Sequence, residues 1–208
     1  MMILSVFDYS TIMVKPWIEA GYWAMCFDKK HPSGYTNDGK IGKIGCDVRR
    51  HNWHDFVAGH KHEAAIAFFF PPCTDVAVSG ARWFKDKGLG KLIEALELFK
   101  LCIDVAEMLE CPYMIENPVS TVSTYWRKPD YVFDPCDYGD PWTKKTHLWT
   151  GNGFIMPPKN RVEPTETGKI HRMPPSPDRA EKRSETPPRF ARAVFEANNL
   201  KEVIKCPQ

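Results

Sequence analysis

Residues 64–73 read AAIAFFFPPC, seven apolar residues from Ala64 to Phe70 closed by Pro71 and Pro72. The run is short for a helix, no polar side chain interrupts it, and it ends where proline removes a backbone donor. That pattern predicts a strand buried on both faces, at home in the middle of a parallel sheet. Downstream, Leu89–Leu109 supplies a crossover helix, its apolar positions Leu92, Ile93, Leu96, Phe99, Ile103, Ala106 and Leu109 recurring every three or four residues. Pro112–Glu116 (PYMIE) follows as another short strand. Upstream, Met2–Phe7, Tyr22–Phe27 and Ile41–Ile44 are short apolar runs, and Ile12–Ala20 has mixed helical spacing. Strands alternating with helices predict an α/β protein with a doubly wound, mostly parallel sheet.

The 208 residues are 43% hydrophobic and 26% charged, which excludes a wholly disordered chain and suits one well-buried domain. No apolar run approaches the roughly 18 residues of a membrane helix. The first residues, MMILSVFDYS, lack the basic stretch and cleavage site of a signal peptide, so the expected location is cytoplasmic. Seven cysteines, an odd number, form no CxxC pair, and the spacing of His51, His54, His60 and His62 fits no standard zinc site, so neither a disulfide scaffold nor a structural metal is expected. The net charge of +2 divides unevenly: residues 1–140 carry 15 basic against 19 acidic side chains, residues 141–208 carry 13 against 7. Eight of 18 prolines fall between Pro157 and Pro188. Three regions follow: an alternating strand–helix unit at 1–150, a Pro-rich basic loop region at 151–187, and a C-terminal helix at 188–208 packing back on the same domain.

In open α/β sheets, ligands bind beyond the carboxyl ends of the strands. The residues found there are Asp8-Tyr9-Ser10-Thr11, Asp28, Cys46-Asp47, Pro71-Pro72-Cys73-Thr74 and Glu116-Asn117-Pro118. Taken in order they resemble the DNA cytosine C5-methyltransferase family, closest to its small, often phage-encoded members. PPCTDVAVSG (71–80) is similar to that family's Pro-Pro-Cys nucleophile loop, and Glu116-Asn117-Pro118, 43 residues after Cys73, to its Glu-Asn-Val element. Thr143-Lys144-Lys145-Thr146-His147-Leu148-Trp149 resembles its late basic motif, and Arg183-Ser184-Glu185-Thr186-Pro187 faintly resembles the motif before its last helix.

The resemblance implies a Rossmann-like fold of the class I methyltransferase type and S-adenosylmethionine-dependent C5-methylation of cytosine in DNA. Cys73 would be the nucleophile and Glu116 the group on the ring N3 and exocyclic amine. Asp28 would hold the cofactor ribose and Asp47 the adenine amino group, with Phe7, Asp8, Ser10 and Pro71 completing the cofactor site. Pro72, Thr74, Asn117, Arg82, Lys144 and Lys145 would contact substrate. The chemistry suits these residue types: pyrimidine C5 is too weakly nucleophilic to be alkylated directly, and a thiolate adding at C6 makes it enamine-like. A base in a duplex must first be flipped out, and Arg82, Trp83, Lys85 and Lys87 could steady phosphates and an exposed base.

Two departures leave alternatives open. The loop Phe7–Lys15 has no glycine, where the family carries an FxGxG pattern; either it closes the cofactor site or Asp8, Ser10 and Thr11 cradle the cofactor. Between Trp149 and the last helix about 40 Pro-rich residues leave no room for a separate DNA-reading domain, so specificity is weak or comes from a partner. A free pyrimidine nucleotide is the second substrate, modified at C5 with a non-standard cofactor in one variant of that reading. A catalytically inactive nucleic-acid or protein binding module is the competing class. A homodimer is compatible with the sequence, and the host would be bacterial if the chain is phage-encoded.

Overall fold

A computed structural model describes residues 1–199 of the chain. Eight strands form one sheet: β1 (Met2–Val6), β2 (Trp23–Phe27), β3 (Gly34–Asp38), β4 (Ile41–Gly45), β5 (Ala64–Phe69), β6 (Tyr113–Pro118), β7 (Tyr131–Phe133) and β8 (Thr146–Gly151). Their order is β3-β4-β2-β1-β5-β6-β8-β7. The five inner strands from β4 to β6 pair in parallel, while β3 and β8 run antiparallel to their neighbours. The fold is mixed α/β with a mostly parallel sheet, compatible with a Rossmann-like arrangement.

Parallel neighbours require crossovers. A 3-10 turn at Ile12–Val14 and helix α1 (Lys15–Glu19) link β1 to β2; α2 (Trp53–His60) links β4 to β5. Two helices, α3 (Phe84–Lys87) and α4 (Leu89–Leu109), link β5 to β6. Four short or late helices follow among the described residues: α5 (Val122–Tyr125), α6 (Lys169–Arg172), α7 (Arg179–Ser184) and α8 (Pro188–Asn198). Among the described residues no helix is long and apolar enough to cross a membrane.

Alternation along the central strands builds two cores. Leu4, Phe27, Ala67, Phe69 and Ile115 face one side with α2 and α4; Ile3, Cys26, Phe68 and Met114 face the other with α1 and α8. β5 is buried from Ala65 to Phe69, as its unbroken apolar run predicts. Helix α4 has the expected boundaries, but its buried stripe is Ala95, Phe99, Cys102, Val105, Ala106 and Leu109, and Ile93 is exposed. Small Ala and Cys side chains let the helix backbone lie close to the sheet, and the leucines flank the contact instead of centring it.

Helix α8 begins at Pro188, where a missing N–H is harmless, and the Arg189 backbone N–H is capped by the Asp140 carboxylate. Its face of Phe190, Ala191, Val194 and Phe195 is buried. Phe190 stacks on Phe133 at 4.1 Å and Phe195 meets Trp17 edge-on at 5.0 Å between centroids. Asn198 donates to the Ile155 carbonyl at 2.8 Å and accepts from its N–H at 2.9 Å. The part of the last helix expected beyond Asn199, with Cys206, lies outside the described residues. Inside the region read as loop, α6 and α7 are helical.

Asp137 fastens the proline-rich segment to this body. Its side chain is 5% exposed and pairs with Lys159 at 2.9 Å and with Arg161, while accepting from the Asp134 N–H at 3.1 Å. Burial pushes its carboxyl up, but Lys159, the backbone donor and Arg161 outweigh burial and hold it below the ordinary range. A depressed folded pKa means stability that is present above the unfolded pKa and lost as pH falls through the folded one. Asp137→Asn should therefore lower stability by about 2 kcal/mol at pH 7. The gap should narrow below pH 3.8, the ordinary value, in denaturant titrations at several pH values. A gap independent of pH would refute the charge assignment.

Candidate active site

The chain winds outward from β1 in both directions, so the strand order reverses between β1 and β5. Crevices open at such points because neighbouring loops depart to opposite faces. A cavity of about 730 Å³ lies here. It is lined from the β1–β2 end by Phe7, Asp8, Tyr9, Ser10, Asp28 and Lys30, and from the β5–β6 end by Pro71, Pro72, Cys73, Thr74 and Glu116.

Cys73 leaves the end of β5 on a loop held at several points. The Asn117 side-chain amide donates to the Pro71 carbonyl at 3.0 Å, and the N–H groups of Val76 and Ala77 donate to the Cys73 carbonyl at 3.1 and 2.8 Å. Segment 76–78 is tied to the loop after β6 through Thr121 N–H to Val76 O and Val78 N–H to Val119 O, both 2.9 Å. The result fixes the half-buried thiol beside Glu116 on the adjacent strand. Lys144 stands 3.5 Å from the Glu116 carboxylate, and both side chains are mostly buried. Burial pushes the Cys73 thiol up and the Glu116 charge adds to this; Lys144, a backbone donor and Arg183 pull it down. In the resting protein burial wins, and the thiol sits above its ordinary range.

The glycine-free loop turns by another device. Phe7 and Thr11 take left-handed φ values of 62° and 56°. Between them Asp8 folds inward and accepts from Ser5 Oγ at 2.8 Å, Ser10 Oγ at 3.1 Å and the Thr11 N–H at 2.7 Å. Burial pushes its carboxyl up despite these donors. The loop neither fills nor seals the cavity: Phe7, Asp8, Tyr9 and Ser10 all line it. Asp28 lines it too, with one carboxylate oxygen accepting from the Lys30 N–H at 2.8 Å in a turn.

Of the expected site residues, Arg82, Lys144 and Lys145 also reach the cavity, but Asp47 and Asn117 do not line it. Asp47 caps the 3-10 turn Val48–Arg50, and Arg49 reaches back to it at 2.7 Å. Hydrogen bonds from the Arg49 side chain, then its backbone N–H and charge, hold the Asp47 carboxyl below its ordinary range. An acid two residues before an arginine is satisfied locally before any ligand arrives. Asn117 is fully buried and acts on the loop of Cys73 from behind, as the bond to Pro71 shows. His51 and His60 pack against Phe27 and Phe56 rings at 4.8 and 4.6 Å.

Sequence reasoning missed the wall formed by α7 and the residues after it. Arg179, Glu181, Arg183, Ser184, Glu185 and Thr186 all line the cavity. The Glu181–Lys30 ion pair at 3.4 Å ties α7 to the loop after β2. The available signal was the faint Arg183–Pro187 similarity together with arginines four residues apart, one helical turn.

The residues fit S-adenosylmethionine at the β1–β2 end. The volume is in the range of cofactor pockets, Asp28 offers an acceptor for ribose hydroxyls, and Tyr9 offers a ring 40% exposed. Asp47, to which the family resemblance gives the adenine contact, lies outside this lining and is paired with Arg49. A scan against protein-family models found no match, and a search of curated proteins found none either.

Proposed function

We propose that the protein methylates C5 of cytosine in DNA, using S-adenosylmethionine and a covalent Cys73 adduct, on a Rossmann-like fold of the class I methyltransferase type. The observation that carries this reading is the convergence of Cys73 and Glu116, 43 residues apart, on one cavity at the ends of adjacent parallel strands, with Asp28 on the same cavity. The pair divides the reaction. The Cys73 thiolate adds to C6, and the C5–C6 π electrons move into the ring toward N3, where Glu116 stabilises the protonated form. Lys144 holds the Glu116 carboxylate in place. When bound, the cofactor supplies a methyl group on a positively charged sulfur. Loss of the C5 proton to solvent then expels the Cys73 thiolate and restores the C5–C6 double bond. A pure binding module has no need of a thiol and a carboxylate so placed. DNA is the first substrate and a free pyrimidine nucleotide the second.

Calorimetric titration with S-adenosylmethionine tests the cofactor assignment. Micromolar binding, about −8 kcal/mol, is expected, weakened at least tenfold in Asp28→Ala. Absence of heat up to millimolar cofactor would count against methyl transfer. Labelled methyl transfer to single- and double-stranded DNA and to dCMP then ranks the substrates.

A further inference from the structure

We propose that Arg183 on α7, together with Lys145, holds the phosphate of the nucleotide whose base faces Cys73. This rests on the reading of Cys73 and Glu116 as a pyrimidine site and adds an anchor for the rest of the nucleotide. Arg183 is partly buried and lines the same cavity as Cys73 and Lys145. Its charge reaches the Cys73 sulfur, easing thiolate formation. Other cations of the lining have partners: Lys30 pairs with Glu181, Lys87 with Asp75 at 2.8 Å, Lys144 with Glu116, and Arg82 lies 5.0 Å over the Trp83 ring. Among the described residues, Arg183 makes no ion pair: of the two lining acids two residues away, Glu181 pairs with Lys30 and Glu185 is not within salt-bridge distance of it. A guanidinium half removed from water without an acid favours an anion, and its planar fork matches a phosphate better than a lone ammonium does.

The scaffold presents it firmly. The Lys30–Glu181 pair holds α7 from one side, Thr186 is buried just beyond it, and the Ser184 hydroxyl donates to Glu181 O at 2.8 Å. A cytosine ring beside Cys73 and Glu116 places its phosphate one ribose away, toward the cavity wall.

The test measures binding of a short fluorescent cytosine-containing single strand by anisotropy, with dCMP and deoxycytidine as competitors. Arg183→Gln is compared with Lys182→Gln, which lies on the same helix, pairs with Asp178 at 2.5 Å and is outside the cavity. Thermal unfolding confirms that both variants fold. Arg183→Gln should weaken the strand about tenfold and lower the salt slope by about 0.7, while Lys182→Gln stays within about twofold. Competition by dCMP and not deoxycytidine marks a free nucleotide's phosphate as sufficient; strand binding without dCMP competition marks a backbone phosphate. Either supports the subsite. Unchanged affinity in Arg183→Gln, an equal loss in Lys182→Gln, or no wild-type binding up to millimolar ligand overturns it. Trapping on a 5-fluorocytosine strand separates the two claims. An adduct with no Arg183 dependence leaves the chemistry standing without the subsite, whereas Arg183-dependent binding with no adduct leaves the subsite without the chemistry.

Discussion

Cys73→Ala should abolish methyl transfer, a loss on the order of 10⁴-fold or more, because removing a nucleophile disables the groups that act with it. The fold should survive. The loop is held by Asn117 and by backbone bonds at Val76, Ala77 and Val78, none of which uses the sulfur. Denaturation should shift by no more than about 1 kcal/mol. A 5-fluorocytosine strand with S-adenosylmethionine present gives the direct readout: once C5 carries methyl and fluorine it has no proton to lose, so elimination is blocked, the C6–sulfur bond persists, and the strand's mass is added to the wild type alone. A variant that still transfers methyl would refute the mechanism. The raised thiol adds a pH signature. Without substrate, alkylation of Cys73 should be slow at neutral pH and accelerate above the ordinary thiol value of 9.0. A pyrimidine proton shared with Glu116 offsets the carboxylate charge that adds to burial in raising the thiol, so substrate itself favours the thiolate.

Asp8→Ala should produce the largest loss of stability, about 3–5 kcal/mol, out of the roughly 5–15 kcal/mol that a domain possesses. Three donors lose their acceptor, among them the buried Thr11 N–H and the buried Ser5 hydroxyl. The same acceptor stabilises the left-handed turns at Phe7 and Thr11, which glycine would adopt without help. Asp8→Asn keeps the size and most of the acceptor capacity, and it should recover more than half of the loss at pH 7. The sign of the pH effect is fixed by burial. A carboxyl raised in the folded state gives stability that is full below the unfolded value, 3.8, and declines as pH rises through the folded one. Wild type should therefore lose ground to Asp8→Asn as pH rises above 3.8. Chemical unfolding of the three proteins from pH 4 to 8 measures this. A harmless Asp8→Ala would mean that the loop is held some other way.

Several features were legible before the structure. AAIAFFF is a buried central strand because an unbroken apolar run has no face to offer water. Leu89–Leu109 is a helix because its period is helical, although period alone did not reveal that Ala95, Cys102 and Ala106 form the closest face. Helix α2 was missed although Asn52 caps it and Trp53, Phe56 and Val57 are its buried face, because eight residues hold little periodic signal. Strand β3 was hidden for the opposite reason. It is an exposed polar edge strand, and a Cβ on Gly45 would lie 2.0 Å from the Pro32 carbonyl, so backbone packing shapes this corner.

What the sequence determined by itself is the set of chemical groups at strand ends: Cys73 after two prolines, Glu116 on the following strand, Asp28 beyond the second. Strand ends are encoded by local pattern, and strands of a parallel sheet point their ends to one rim, so these groups must meet. Only the tertiary structure decided what each nearby group is free to do. Asp47 and Asp8 are both acids near the rim, yet Arg49 occupies the first and the Phe7–Thr11 loop occupies the second. Arg183 lies 110 residues from Cys73 in a stretch that reads as loop, and it lines the cavity on a helix whose Glu181 also meets Lys30 of the loop after β2. Hydrogen-bond and ion-pair partners are chosen by distance in space, and a proline-rich chain leaves that distance open until the body it packs against has folded.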